Sequence, residues 1–194
     1  MKWIIDMVRS GNTVFSYADM AHFFEWKNKQ DLVNKVHYAV HRGYLHTISR
    51  WIFALAPSWW NKYEFANKIL TPSYISLQSA LRIHGINFQY EQDIYAVSYK
   101  SCTITTDVWV IHFHSMKKSI RENYAGVGVQ EWFSLASRER AVLDTLYLYR
   151  EYYFDNLSLI DWDQAATLLP IYGSKILEKR FTLLRQHHDT DHRI

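Results

Sequence analysis

At Gly43 the spacing of apolar residues changes from about 3.6 to 2, and no other feature restricts the fold as strongly. Upstream, residues 28–45 read NKQDLVNKVHYAVHRGYL. On a helical wheel Leu32, Val33, Val36, Ala39 and Val40 share one side. Gln30, Asn34, His37 and His41 line another, flanked by Asp31, Lys35, Tyr38 and Arg42. The segment is therefore an amphipathic helix, and Gly43 supplies the left-handed residue that ends it. Downstream, YLHTI and WIFAL alternate as strands, with Ser49-Arg50 as the expected turn between them.

The preceding residues complete a recognisable order. WIIDMVR (3–9) is a short amphipathic helix stopped by SGN, and Ser16 stands three residues before Asp19, the pattern of a capped helix that runs to about Glu25. Helix, helix, helix, hairpin is the order of a winged helix-turn-helix, whose third helix lies in the DNA major groove. On that reading Gln30, Asn34, Lys35 and Tyr38 point towards base edges, and Lys27, Lys29, Lys35 and Arg50 meet phosphates.

Charge is divided in the same sense. Residues 1–70 hold nine Lys/Arg against five Asp/Glu, a balance of +4 out of +3 for the whole chain, so the remainder is slightly acidic. A basic first third favours a polyanionic partner. The single cysteine, Cys102, excludes an intrachain disulfide and suits a reducing cytoplasm. No apolar run is long enough to span a membrane, and the N-terminus is a poor match to a secretory signal. A cytoplasmic chain with no membrane partner is expected.

Beyond residue 56 the pattern changes. APSWWNKYEFANKIL (56–70) reads as a connector carrying its own helix, with Trp59 and Trp60 as the residues that seal it. SLQSALRIHG is a helix with Ser76 as cap and Gly85 as stop. INFQY, DIYAVSYK, CTITT, VWVIHFHS and VGVQEWFSLA are β-rich, and three helical stretches follow, the first capped by Ser137. The expected class is α+β: a winged helix-turn-helix over 1–56, a linker helix over 57–72, a sheet-and-helix domain over 73–188 and a polar tail over 189–194.

Two stretches carry a resemblance to a known family. EFANKILTPSYISLQSALRIHGI (64–86) and WFSLASRERAVLDTLYL (132–148) resemble the AbiEi-type antitoxins of bacterial abortive-infection toxin–antitoxin systems, and HRGYLHTISRWIFAL (41–55) does so more loosely. The resemblance spans residues 14 to 186. It implies a winged helix that represses its own operon by binding operator double-stranded DNA, and a C-terminal domain that neutralises a nucleotidyltransferase-like toxin. One departure concerns the hairpin: family members commonly carry Arg-Gly before its second strand, where this chain has Arg50-Trp51. A stand-alone winged-helix regulator with a ligand-sensing or dimerising C-terminal domain is the alternative.

Read without the family, Tyr74, Ile75, Leu77, Ala80 and Leu81 form an apolar face at helix spacing that leaves Gln78, Arg82 and His84 outside. Glu139, Arg140 and Asp144 are spaced for a local charged network, and both stretches are expected mainly to build the fold, with a toxin-facing role for Arg82, Arg138 or Arg140 as the alternative that the sequence does not itself show. Catalytic chemistry finds no support. His112 and His114 share a strand face but lack clear further ligands for a metal. Asp93 with Lys100 lacks the second carboxylate of a metal-dependent nuclease. No cofactor, metal site or catalytic residue is expected.

Overall fold

The computed structural model describes residues 2–24, 28–57, 59–89 and 91–191. The chain divides into two compact units, Met1–Thr71 and Pro72–Ile194, and is of mixed α and β class.

The first unit runs α1 (Lys2–Arg9), β1 (Val14–Ser16), α2 (Tyr17–Phe23), α3 (Lys29–His41), β2 (His46–Ser49), β3 (Ile52–Ala54) and α4 (Lys62–Ile69). Its three strands form an antiparallel sheet in the order β1-β3-β2. Local chemistry sets the boundaries. Ser16 Oγ accepts from the Asp19 amide while Asp19 Oδ2 accepts from the Ser16 amide at 2.7 Å, a full capping box. Asn28 Oδ1 caps α3 through the Asp31 amide. Gly43 takes φ +72°, and the Tyr44 amide turns back to the Ala39 carbonyl. Leu32, Val36 and Ala39 are buried with Met7, Phe15, Met20, Leu45 and Phe53, whereas Val33 and Val40 are only half-buried.

Strand β1 has no counterpart in the sequence reading. Three residues are too few to show alternation, and Val14 and Phe15 are both buried. The connector over 57–72 is also corrected. Its helix α4 is part of the first unit, because Glu64 is fully buried and its Oε2 accepts from the Thr13 amide, the Thr13 hydroxyl (2.7 Å) and the Val14 amide. Trp60 packs on Phe65 with the rings tilted, but Trp59, expected as a seal, is 73% exposed.

Glu64 carries a pH dependence. Its Oε1 is buried with no hydrogen-bond partner among the described residues, and burial pushes its carboxyl above the usual range against the bonds from Thr13. A carboxyl raised in the folded state binds its proton more tightly there than in the unfolded chain. Its contribution to stability is thus fully present below the unfolded pKa, about 4.3, and is lost as pH rises through the folded value. The first unit should lose stability over that interval, and Glu64→Gln should remove this component while keeping an acceptor for Thr13. Denaturant midpoints across pH 3–8 check it, and parallel curves for wild type and variant would count against it.

The second unit begins with β4 (Ser73–Ile75) and α5 (Leu77–Ile83), followed by β5 (Ile94–Ser98), β6 (Cys102–Thr105), β7 (Val110–Ser115) and α6 (Lys118–Arg121). Then come β8 (Val127–Gln130), β9 (Phe133–Ala136), α7 (Arg138–Leu148), α8 (Trp162–Leu168), a 3-10 turn (Leu169–Tyr172) and α9 (Lys175–Asp191). The six strands are ordered β6-β7-β5-β4-β9-β8, with β5 parallel to β7 and β4 parallel to β9. Residues 86–89 of INFQY form no strand, and the segment expected as a polar tail is helical through Asp191.

A buried polar knot joins these elements. Arg140 and Asp144, one turn apart on α7, are both fully buried, with Arg140 Nε 3.1 Å from Asp144 Oδ1. Tyr74, Ser76 and Tyr172 all donate hydroxyl bonds to Asp144. Ser76 precedes α5 as expected, yet its side chain accepts from no amide of that helix; its hydroxyl instead donates to Asp144 at 2.8 Å. That bond lies beside Leu77, a buried residue held at φ +53°. Gly126 is required for close approach: at φ +74°, a side chain there would meet Arg140 and Leu168 at 3.0 Å.

Candidate nucleic-acid interface

Helix α3 turns its polar side to solvent. Lys29, Gln30, Asn34, His37, Tyr38, His41 and Arg42 are all exposed, so the line read from the wheel exists as a surface. Gln30 Nε2 donates to Asn34 Oδ1 at 3.0 Å, which holds the two amides side by side on consecutive turns. Both remain free to offer donor–acceptor pairs outward, the pattern that matches an adenine edge. Tyr38, 52% exposed, extends this face. Asn34, Lys35 and Tyr38 also line a hollow with Lys2, Asp6 and His22 of α1 and α2.

Of the expected phosphate contacts, Lys29 is exposed at the first position of α3. Lys35 lies 3.1 Å from Asp31 in an i, i+4 ion pair, so part of its charge is already compensated. Lys27 lies outside the described residues. Arg50 is exposed at the hairpin tip, where its guanidinium sits 5.3 Å from the centre of the Trp51 ring.

That tip departs from the sequence reading. The residue that turns left-handed is Trp51, at φ +68°, and not Ser49 or Arg50; the pairing register shifts between Thr47 and Ser49, and Ser49 pairs with Ile52. Trp51 was read as the first residue of a strand. Its ring is 55% exposed and lies 5.5 Å from Tyr17 at the start of α2. Neither Trp51 nor Tyr17 was a candidate in the sequence. The one signal was the aromatic residue standing where a turn wants glycine.

Charge along this stretch of the sequence is of one sign. From residue 32 to residue 63 the chain contains no Asp or Glu, yet it holds Lys35, Arg42, Arg50 and Lys62 with His37, His41 and His46. Both α3 after its first turn and the entire hairpin fall in this interval.

The second unit offers less. Arg140, a candidate to face a toxin, is fully buried; its i, i+4 carboxylate and three backbone carbonyls accept from the guanidinium and offset part of the cost of desolvating it. Of the expected charged network Arg140 and Asp144 pair, whereas the Glu139 carboxylate accepts from the Ser137 hydroxyl. Arg138 is exposed and Arg82 half-buried. His84, expected outside, is half-buried with Nε2 2.8 Å from the Ala136 carbonyl oxygen. His112 lies 2.9 Å from Asp93, and burial with His112 nearby lowers the His114 pKa. Among the described residues no three His, Cys, Asp or Glu gather as a metal site, and no helix is long and apolar enough to cross a membrane.

No protein-family model matches the chain, and no curated protein is similar to it.

Proposed function

We propose that the first unit is a winged helix-turn-helix that binds operator double-stranded DNA, and that the chain is a cytoplasmic antitoxin repressing its own operon and neutralising a nucleotidyltransferase-like toxin. The observation that carries the DNA reading is the free face of α3, where two hydrogen-bonded amides stand on a helix with no carboxylate beyond its first turn. The order α1-β1-α2-α3-β2-β3, with β3 between β1 and β2, supports the winged-helix reading. The antitoxin half rests on the two sequence stretches at 64–86 and 132–148. A reading frame for a nucleotidyltransferase-like protein beside this gene supports it, and a solitary gene favours the stand-alone regulator.

Base readout and phosphate anchoring separate experimentally. Asn34→Ala should leave folding intact, weaken binding to the preferred duplex by roughly 1–3 kcal/mol and relax preference at one base pair. Gln30→Ala should act in the same direction at a neighbouring pair, because the two side chains share a hydrogen bond. Selection from a randomised duplex pool, followed by titration, measures both. If both variants select the wild-type site with wild-type affinity, α3 is not the reader.

A further inference from the structure

In the second unit a cavity of about 230 Å³ lies beside α5, and no aliphatic side chain lines it among the described residues. Gln78 and Arg82 reach it from consecutive turns of α5. Asn87, Glu91 and Asp93 come from the segment that leads into β5, and Tyr152 from the loop after α7. Ligand cavities are mostly apolar with a few polar groups, so a wall made of polar groups calls for an occupant that hydrogen-bonds to it. Two atoms show the shortage directly. Gln78 Oε1 and Asn87 Oδ1 are buried and accept no hydrogen bond among the described residues. The Asn87 amide gains nothing by turning over, because its Nδ2 donates to the Tyr152 hydroxyl and the Tyr153 carbonyl. The Gln78 amide rotates about a soft terminal torsion and can bring its oxygen to a donor in the cavity.

Both carboxylates are fixed by neighbours outside the lining. The Tyr95 hydroxyl donates to Glu91 Oε1 at 2.6 Å, and His112 Nε2 lies 2.9 Å from Asp93 Oδ2, which leaves the second oxygen of each for a ligand. Burial, with Glu91 among the nearby negative charges, pushes the Tyr152 phenol up to about 12, so it stays neutral. Charge then sets the class of ligand. Among the described lining residues Arg82 is the one cation, against the carboxylates of Glu91 and Asp93. The complement is a molecule with one anionic and two cationic groups, which describes a free basic α-amino acid. The volume lies below that of sites for drug-sized ligands and suits a molecule of this size. A hard metal ion fits less well, because Arg82 shares the wall with only two carboxylates.

We propose that this cavity binds a free basic α-amino acid, with Arg82 on its carboxylate, Glu91 and Asp93 on its two cationic groups, and the Gln78 and Asn87 oxygens on the remaining N–H donors. The site lies wholly within the second unit and does not rest on the DNA-binding reading of the first.

Isothermal titration of the full chain with L-arginine and L-lysine tests it. At least one of them should bind, one molecule per chain. The decarboxylated counterparts agmatine and cadaverine, and L-citrulline with its uncharged side chain, should each bind at least about tenfold more weakly, since each lacks one charge-assisted pair. Glu91→Gln and Asp93→Asn should each weaken binding of the amino acid by about tenfold or more. Arg82→Gln should bring the amino acid down to the level of its amine and leave the amine no weaker. Circular dichroism checks that each variant is folded. Absence of binding by wild type at about 10 mM of either amino acid overturns the proposal without recourse to any variant. Equal affinity for amine and amino acid overturns it too, because Arg82 would have no ligand group to meet. Unchanged affinity in folded Glu91→Gln and Asp93→Asn proteins would place the ligand elsewhere and overturn it as well. A thermal midpoint raised by Mg²⁺ or Ca²⁺ and by neither amino acid would make the cavity a metal site instead. None of these outcomes bears on whether α3 reads DNA.

Discussion

Arg140→Met should destabilise the second unit by about 3–5 kcal/mol, the loss expected when one partner of a buried ion pair is removed. The guanidinium is fully buried and uses all three nitrogens. Nε donates to Asp144 Oδ1, Nη1 to the carbonyls of Asn123 and Ala125, and Nη2 to the Tyr74 hydroxyl and the Ile120 carbonyl at 2.8 Å. Methionine fills part of the volume but leaves the Asp144 carboxylate without its counter-charge. The Asn123, Ala125 and Ile120 carbonyls each lose a donor as well. Uncompensated desolvation, not the lost attraction alone, sets the size of the effect. Replacing both partners, Arg140→Met with Asp144→Leu, should therefore cost less than Arg140→Met by itself, although Tyr74, Ser76 and Tyr172 then lose their acceptor. Urea unfolding of the full chain, followed by circular dichroism, measures both variants. A loss below about 1 kcal/mol for the single variant would show that the knot contributes little.

Affinity for the preferred duplex should fall roughly fortyfold between 50 and 200 mM salt if Lys29, Lys35 and Arg50 each neutralise one phosphate, since each contributes about 0.9 to the slope. Lys29→Ala should remove one such share. Lys35 differs, because Asp31 already lies 3.1 Å from its ammonium group. The ion pair must loosen before a phosphate can take its place, so Asp31→Asn should tighten binding. Titrations at four salt concentrations test this, and a salt-independent affinity would remove the proposed footprint.

Much of the first unit was legible because its signals are local. The capping box at Ser16 and Asp19 requires only residues three apart, and the left-handed stop at Gly43 requires only one. The exposed face of α3 follows from its period, so Gln30, Asn34 and Tyr38 could be placed outside without knowing what covers the other side. Charge partition needed no structure at all. In the second unit the same holds for Ser137, whose hydroxyl caps α7 through the Arg140 amide.

What escaped depends on partners distant in sequence. Strands β1 and β4 are three residues each, and their buried pairs (Val14 with Phe15, Tyr74 with Ile75) carry no alternation to detect. Ser76 has the spacing of a helix cap, yet its hydroxyl bonds a carboxylate 68 positions away. Glu64 sits in a segment that reads as a connector, and only the Thr13 amide and hydroxyl, 51 positions earlier, turn it into a core residue. Sequence alone therefore determined the capped starts of α2 and α7, the stop of α3, which side of α3 meets solvent and where basic charge collects, because these depend on neighbours within a turn or two. Tertiary structure decided that Arg140 is buried and that Trp51 occupies a position suited to glycine. Both outcomes turn on distant packing: the desolvation of a charge is set by everything around it, and a strained turn persists only where paired strands hold it.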